Sequence, residues 1–182
     1  MHREAVHRTK KADLSDLVSF HLANALDLTF SAGRFDIVWG QDTWCYVTDK
    51  ARLIEECSQV VKPSGGVAFT DWLETGPMAE EEWRSLHAFM VFPYTETLEG
   101  YVSLVEDAGL TVEEEEDLSE DFAAHMDIYL QHMREEHRKR IVTAYGEEMY
   151  RETLAGIILW RDAAAAGKVG RGRVIACKAL AP

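Results

Sequence analysis

The chain has 182 residues, and 19 Lys plus Arg against 32 Asp plus Glu give it a formal net charge of −13. One domain of ordinary size fits that length, and 47% apolar with 10% aromatic residues is enough to bury a core, which excludes disorder as a global description. The acidity argues against DNA, RNA or an anionic membrane as the main partner, because phosphates would be repelled.

The three cysteines, Cys45, Cys57 and Cys177, are odd in number, widely spaced and without a CxxC pair. That pattern argues against a disulfide framework or a structural zinc site and fits a reducing, cytoplasmic home. The start Met1-His2-Arg3-Glu4-Ala5-Val6-His7-Arg8 lacks the apolar region of a signal peptide. No apolar run approaches about 18 residues, so no membrane span is expected.

In chain order, the first dozen residues read as the end of a helix. Val18-Ser19-Phe20-His21-Leu22 alternates apolar and polar residues, which predicts a short strand. Phe35-Asp36-Ile37-Val38-Trp39 is β-branched and aromatic and predicts a buried strand. Asp49 is a candidate cap for a helix whose apolar stripe is Leu53, Ile54, Cys57, Val60 and Val61. Pro63-Ser64-Gly65-Gly66 is a turn signal, and Val67-Ala68-Phe69-Thr70 predicts a second buried strand, parallel to the first in a βαβ unit. Helices follow around 79–90 and 98–108, the second ending at Gly109, and 111–116 is a strand candidate. Residues 120–166 read as two helices broken near Tyr145-Gly146, Gly167 to Gly172 as a connecting turn, and Gly172 to Lys178 as a last strand. No internal repeat or linker divides the chain, so 1–182 is expected to form a single α/β domain.

Ligands in an open α/β sheet bind outside the carboxyl ends of the strands. Here those ends are Ala23-Asn24-Ala25-Leu26, Gly40-Gln41-Asp42-Thr43-Trp44-Cys45-Tyr46 and Asp71-Trp72. They form either the rim of a pocket or ordinary loops, with Asn24 and Asp71 closing turns.

Asn24-Ala25-Leu26-Asp27-Leu28-Thr29-Phe30, Phe35 to Asp42, Lys62-Pro63-Ser64-Gly65-Gly66 and Phe69-Thr70-Asp71 stand in an order and spacing that resemble the class I S-adenosylmethionine-dependent methyltransferases. Trp39-Gly40-Gln41-Asp42 and Asp49-Lys50-Ala51-Arg52 are similar to the sarcosine and dimethylglycine N-methyltransferase group within that superfamily. The resemblance implies a Rossmann-like sheet with helices on both faces and S-adenosyl-L-methionine as cofactor. It places Asn24, Ala25 and Leu26 along the adenine and Gly40 and Gln41 at the methionine end. It makes Asp42 the catalytic carboxylate near an acceptor amine, with Trp44, Tyr46 and Asp71 as further substrate contacts. Helical segments near 78–93 and 119–166 would form a lid that excludes water. Tyr46 stands where phosphobase enzymes of the group carry His, and Val91-Phe92-Pro93 replaces their phosphate-binding side chains. The implied acceptor is therefore a small amine or amino acid such as sarcosine or dimethylglycine.

The family's glycine-rich turn, and the strand-helix-strand portion around it, has no counterpart before residue 33. That absence would leave the strand at 35–39 with an open apolar edge. Three outcomes are open: the chain is a fragment of a longer enzyme, a partner chain or second copy covers the edge, or Val18–Leu22 slides across to pair there. The competing reading is a non-catalytic interaction module on the same scaffold that binds no cofactor alone. A metal site is not expected, because His132 and His137 are five residues apart and do not stack on one helical face. His125, His132 and Asp127 read as surface residues.

Overall fold

A computed structural model of the protein describes residues 2–180. Helix α1 (His2–Lys11) is followed by an irregular stretch and then by strand β1 (Phe35–Gln41). Helix α2 (Lys50–Val60) begins where Asp49 accepts a hydrogen bond from the Arg52 backbone N–H at 2.9 Å, a side-chain cap that satisfies an otherwise orphaned donor. Its apolar stripe, Leu53, Ile54, Cys57 and Val60, is buried as the spacing predicts.

Strand β2 (Val61–Glu74) is longer than the sequence signals suggest, because Pro63 to Gly66 continues the strand. It runs parallel to β1, with Val38 opposite Val67 and Gln41 opposite Thr70. Helices α3 (Glu80–Met90) and α4 (Leu98–Asp107), strand β3 (Leu110–Asp117), helices α5 (Ser119–Glu135), α6 (Arg138–Tyr145) and α7 (Glu147–Ala165), and strand β4 (Val169–Lys178) follow. The sheet order is β1-β2-β4-β3, with β4 antiparallel to both of its neighbours.

Two apolar clusters sandwich the sheet. One joins α2 and α4 to it through Leu53, Ile54, Val67, Phe69, Tyr101 and Val105. The other joins α3, α5 and α7 through Leu86, Phe122, Met126 and Trp160. Each large apolar side chain buried this way contributes about 1.5–3 kcal/mol. Along β2 the odd-numbered residues from Gly65 to Leu73 are buried, and the even-numbered ones are partly open. One face of the strand is thereby committed to α2 and α4, and the other is left for a site.

Four sequence expectations change. Phe35–Trp39 is a strand but not a buried one, since Asp36, Ile37 and Trp39 are exposed on a strand paired along one edge only. Val18–Leu22 is not a strand: Val18 N–H bonds back to Leu14 C=O in a turn, and Leu17 and Leu22 are 81% and 91% exposed. Alternation alone does not hold a strand that has no neighbour to take its backbone hydrogen bonds. The segment therefore does not slide across to β1, whose Ile37 and Trp39 remain 65% and 74% exposed. Residues 120–166 hold three helices, because a second break falls at 136–137. The turn before β4 is confined to Ala166-Gly167-Lys168, with Gly167 at φ +67°, and Gly170 and Gly172 lie within the strand. No helix among the described residues is long and apolar enough to cross a membrane.

Candidate functional site

A cavity of about 540 Å³ opens between the sheet and the helices α3, α5 and α7. Its floor is laid by strands. Gln41 ends β1, and Asp42 follows it at φ +50°, a left-handed conformation that aspartate adopts at little cost. That turn sends the Asp42 carboxylate across the strand ends. Arg171 Nε donates to Asp42 Oδ1 at 2.9 Å, and Arg171 Nη2 donates to Oδ2 at 2.8 Å. The Thr70 hydroxyl donates to Oδ1 at 3.0 Å, and the Asp42 backbone N–H is held by Thr70 C=O at 2.8 Å. Arg171 stands directly opposite Trp72 in the antiparallel register, so both side chains rise from the same face.

The walls are aromatic and aliphatic. Trp72 meets Trp160 edge to face with ring centroids 4.8 Å apart, and Phe122 at 5.0 Å. Phe89 approaches α7 over Gly156, where any Cβ would strike its ring. Met90, Met126, Tyr129 and Ile157 complete the apolar lining. At the mouth, Asp121 and His125 add polar groups from α5. His125 Nδ1 lies 2.9 Å from the Asp121 backbone oxygen, which can only accept, so Nδ1 is the donor of that bond.

The structure brings Gln41 and Asp42 to this cavity and takes other expected residues elsewhere. Trp44 is buried, stacked on Phe69 at 3.9 Å. It also explains Gly40, since a Cβ there would meet the indole Nε1 at 2.3 Å. Tyr46 borders a separate surface groove with Trp83, Arg84 and His87. Asp71 is buried on the opposite face of β2, where the Tyr101 hydroxyl donates to its Oδ2. Asn24 caps its own turn by accepting from Leu26 N–H at 3.1 Å. Leu26 and Leu28 are then fastened to α2: Arg52 Nε donates to Leu26 C=O at 3.3 Å, and Leu28 N–H donates to Glu56 Oε2 at 2.7 Å. Ala25, between Asn24 and Leu26, is exposed.

The residue that sequence reasoning missed is Arg171, which lay hidden in a glycine-rich run. The glycines beside it have their own reasons. A Cβ on Gly170 would strike the Ser119 side chain, and one on Gly172 would meet Leu73 at 2.7 Å. An arginine between two close-packed glycines on a strand is the signal that could have found it.

Residues 1–69 match the family model described as Methyltransferase domain. Haemonchus contortus phosphoethanolamine N-methyltransferase 2, solved in complex with phosphomonomethylethanolamine and S-adenosylhomocysteine, shares the fold with a TM-score of 0.84 at 19% identity, over 97% of this chain and 40% of that one. The chain has the Rossmann-like fold of the class I methyltransferases, and its first 69 residues are similar to their methyltransferase domain. Among curated relatives, Methyltransferase GfsG of Streptomyces halstedii is 30% identical over 62% of this chain and 42% of its own length. The glycine/sarcosine/dimethylglycine N-methyltransferase of Actinopolyspora halophila is 27% identical over 90% of this chain and 29% of its own. The chain thus spans less than half the length of these curated relatives. Proteins named as O-methyltransferases match as well, so these likenesses leave the acceptor atom open.

Proposed function

We propose that the cavity is the acceptor site of S-adenosylmethionine-dependent methyl transfer to a small amine or amino acid, sarcosine and dimethylglycine being the best candidates. The observation that carries this reading is the Asp42–Arg171 pair on the floor of an aromatic-walled cavity. A small zwitterion presents a carboxylate and a nitrogen a few ångströms apart. Arg171 keeps Nη1 without a partner among the described residues and can take the carboxylate. Asp42 lies beside it and orients the nitrogen. Trp72 and Tyr129 line the cavity with aromatic rings, the side-chain type that attracts a methylated ammonium.

The described residues fit one side of the cofactor. Gln41 lines the cavity with an amide that has no hydrogen-bond partner among them, which suits the methionine end. Asn24–Leu26, pinned to α2, offers the adenine end, and Asn24 Oδ1 keeps a second lone pair beside its turn bond. When bound, the cofactor supplies an electrophilic methyl group on a sulfonium. The chain's own work is to position the nitrogen in line and to exclude water with α3, α5 and α7. Arg171 and Thr70 hold the Asp42 carboxylate in place, and its Oδ2 keeps a lone pair with which to orient the nitrogen.

A second reading draws on the exposed edge of β1. We infer that a further strand, from the same polypeptide or from a partner chain or second copy, covers Ile37 and Trp39 and brings the ribose-side contacts. Without it the chain would act as a methyltransferase-like module that holds cofactor weakly.

Calorimetric titration with S-adenosylmethionine and S-adenosylhomocysteine, followed by sarcosine and dimethylglycine, tests both readings. Saturable cofactor binding, with acceptor heat that Arg171→Ala removes, is the expected result. Cofactor binding with no response to any amine or amino acid sinks the acceptor assignment. A folded chain that gives no cofactor heat supports the open-edge reading instead.

A further inference from the structure

We infer that His132, Glu136 and His137 form a binding site for a transition-metal dication of the zinc class at the junction of α5 and α6. Their ligand atoms all lie within 4.8 Å of one another. A spacing of five separates two imidazoles on a continuous helix. Here the helix is not continuous. α5 ends at Glu135, the backbone N–H groups of Glu136 and His137 both bond back to His132 C=O, at 3.0 and 2.9 Å, and α6 begins at Arg138. That tightened turn carries His137 round onto His132, with ring centroids 6.1 Å apart.

The donor set selects the metal. Two imidazoles and a carboxylate suit Zn²⁺, Ni²⁺ or Cu²⁺, whereas Mg²⁺ and Ca²⁺ prefer oxygen ligands alone. Zinc bonds of about 2.0–2.1 Å at tetrahedral angles put neighbouring donors about 3.3 Å apart. His132 Nε2 and Glu136 Oε1 stand 3.7 Å apart, so small side-chain rotations close that pair. The site is open to solvent, which leaves water for the remaining coordination position. The last carbonyls of α5 carry the negative end of its dipole, which favours a cation there and offsets part of the repulsion from Arg134, Arg138, Lys139 and Arg140.

A bound metal would staple α6 to the end of α5, the helix whose Phe122, His125 and Met126 line the cavity. It would thereby stiffen one wall of the site from outside.

The test is zinc titration of the full chain by calorimetry after chelator treatment, with thermal unfolding read in parallel. We expect one zinc per chain, a higher Tm with zinc, and no response to magnesium. His137→Ala should weaken zinc binding by at least about tenfold, since even outer-shell partners of metal ligands cost 10- to 100-fold. Glu136→Gln, which keeps shape and removes charge, should also weaken it, whereas His2→Ala and His7→Ala should leave it unchanged. Circular dichroism confirms that each variant is folded. No zinc heat from the parent chain, or equal heat from a folded His132→Ala/His137→Ala double variant, overturns the assignment.

Discussion

Asp71 and Trp72 are adjacent in sequence and serve opposite faces of β2: Asp71 is buried against Tyr101 of α4, while Trp72 stands in the cavity against Trp160 of α7. The pleat that separates them has a consequence for stability. Burial raises the Asp71 carboxyl above its ordinary 3.8, against the opposing pull of the Tyr101 hydroxyl. Its Oδ1 has no partner among the described residues.

A carboxyl raised in this way binds its proton more tightly in the folded chain than in the unfolded one. The stability it contributes is complete below the unfolded value of 3.8 and is lost as pH rises through the folded value. Asp71→Asn keeps an acceptor for Tyr101 and removes that loss. In urea denaturation the variant should gain on the parent as pH rises above 3.8, by at most about 1.4 kcal/mol per pH unit, and then level off. An offset that does not change with pH would refute this account.

Arg171→Ala should strip Asp42 of its paired donors and cost about 1–3 kcal/mol of unfolding free energy, because a half-buried carboxylate is left underpaired. Arg171→Lys should recover only part of it, since a point charge cannot donate to both oxygens from a planar fork. Chemical denaturation of the three proteins measures the order, and a lysine variant equal to the parent contradicts it.

Val91 caps α3 in the left-handed region at φ +58°, a conformation that a β-branched residue adopts only under strain. Its side chain is 77% exposed, so little packing would be lost on removal. Val91→Gly should raise stability by about 1 kcal/mol, the left-handed penalty less the added backbone entropy of glycine. A lower Tm for the variant would show that the side chain holds the turn in a way its exposure does not reveal.

Trp39→Lys should reduce self-association of the isolated chain at high concentration. Trp39 and Ile37 lie exposed on a strand whose outer edge is unpaired, and an edge lysine blocks strand addition. Light scattering across a concentration series reads the effect. Equal scattering from both proteins would mean that the edge is not the adhesive surface.

The βαβ unit was legible in the sequence because its signals agree with one another. β1 is β-branched, Asp49 stands one residue before α2, and the helical stripe keeps its period. The strand expected at Val18–Leu22 failed for the opposite reason, since its alternation had no partner to act on. Of the expected site residues, Gln41 and Asp42 line the cavity, because they follow directly from the end of β1. Asp71 was misplaced because a one-residue difference in position reverses the face of a strand, and sequence alone does not fix which face holds the cavity. Arg171 and His137 depend on contacts made through a distant strand and a helix break, and neither is written in local spacing.

The sheet order carries a consequence for biosynthesis. β4 lies between β2 and β3, and it comes after both in the chain. As the polypeptide leaves the ribosome from its N-terminus, β2 emerges with one ladder to β1 and waits for more than 90 residues before the strand that completes its other side arrives. β3 waits with no neighbour at all. The nascent chain therefore displays pairing edges throughout most of its synthesis, the state that holding chaperones recognise. Slow codons or a stall between α5 and α7 would prolong that exposure, whereas fast delivery of β4 closes β2 and β3 together in one step.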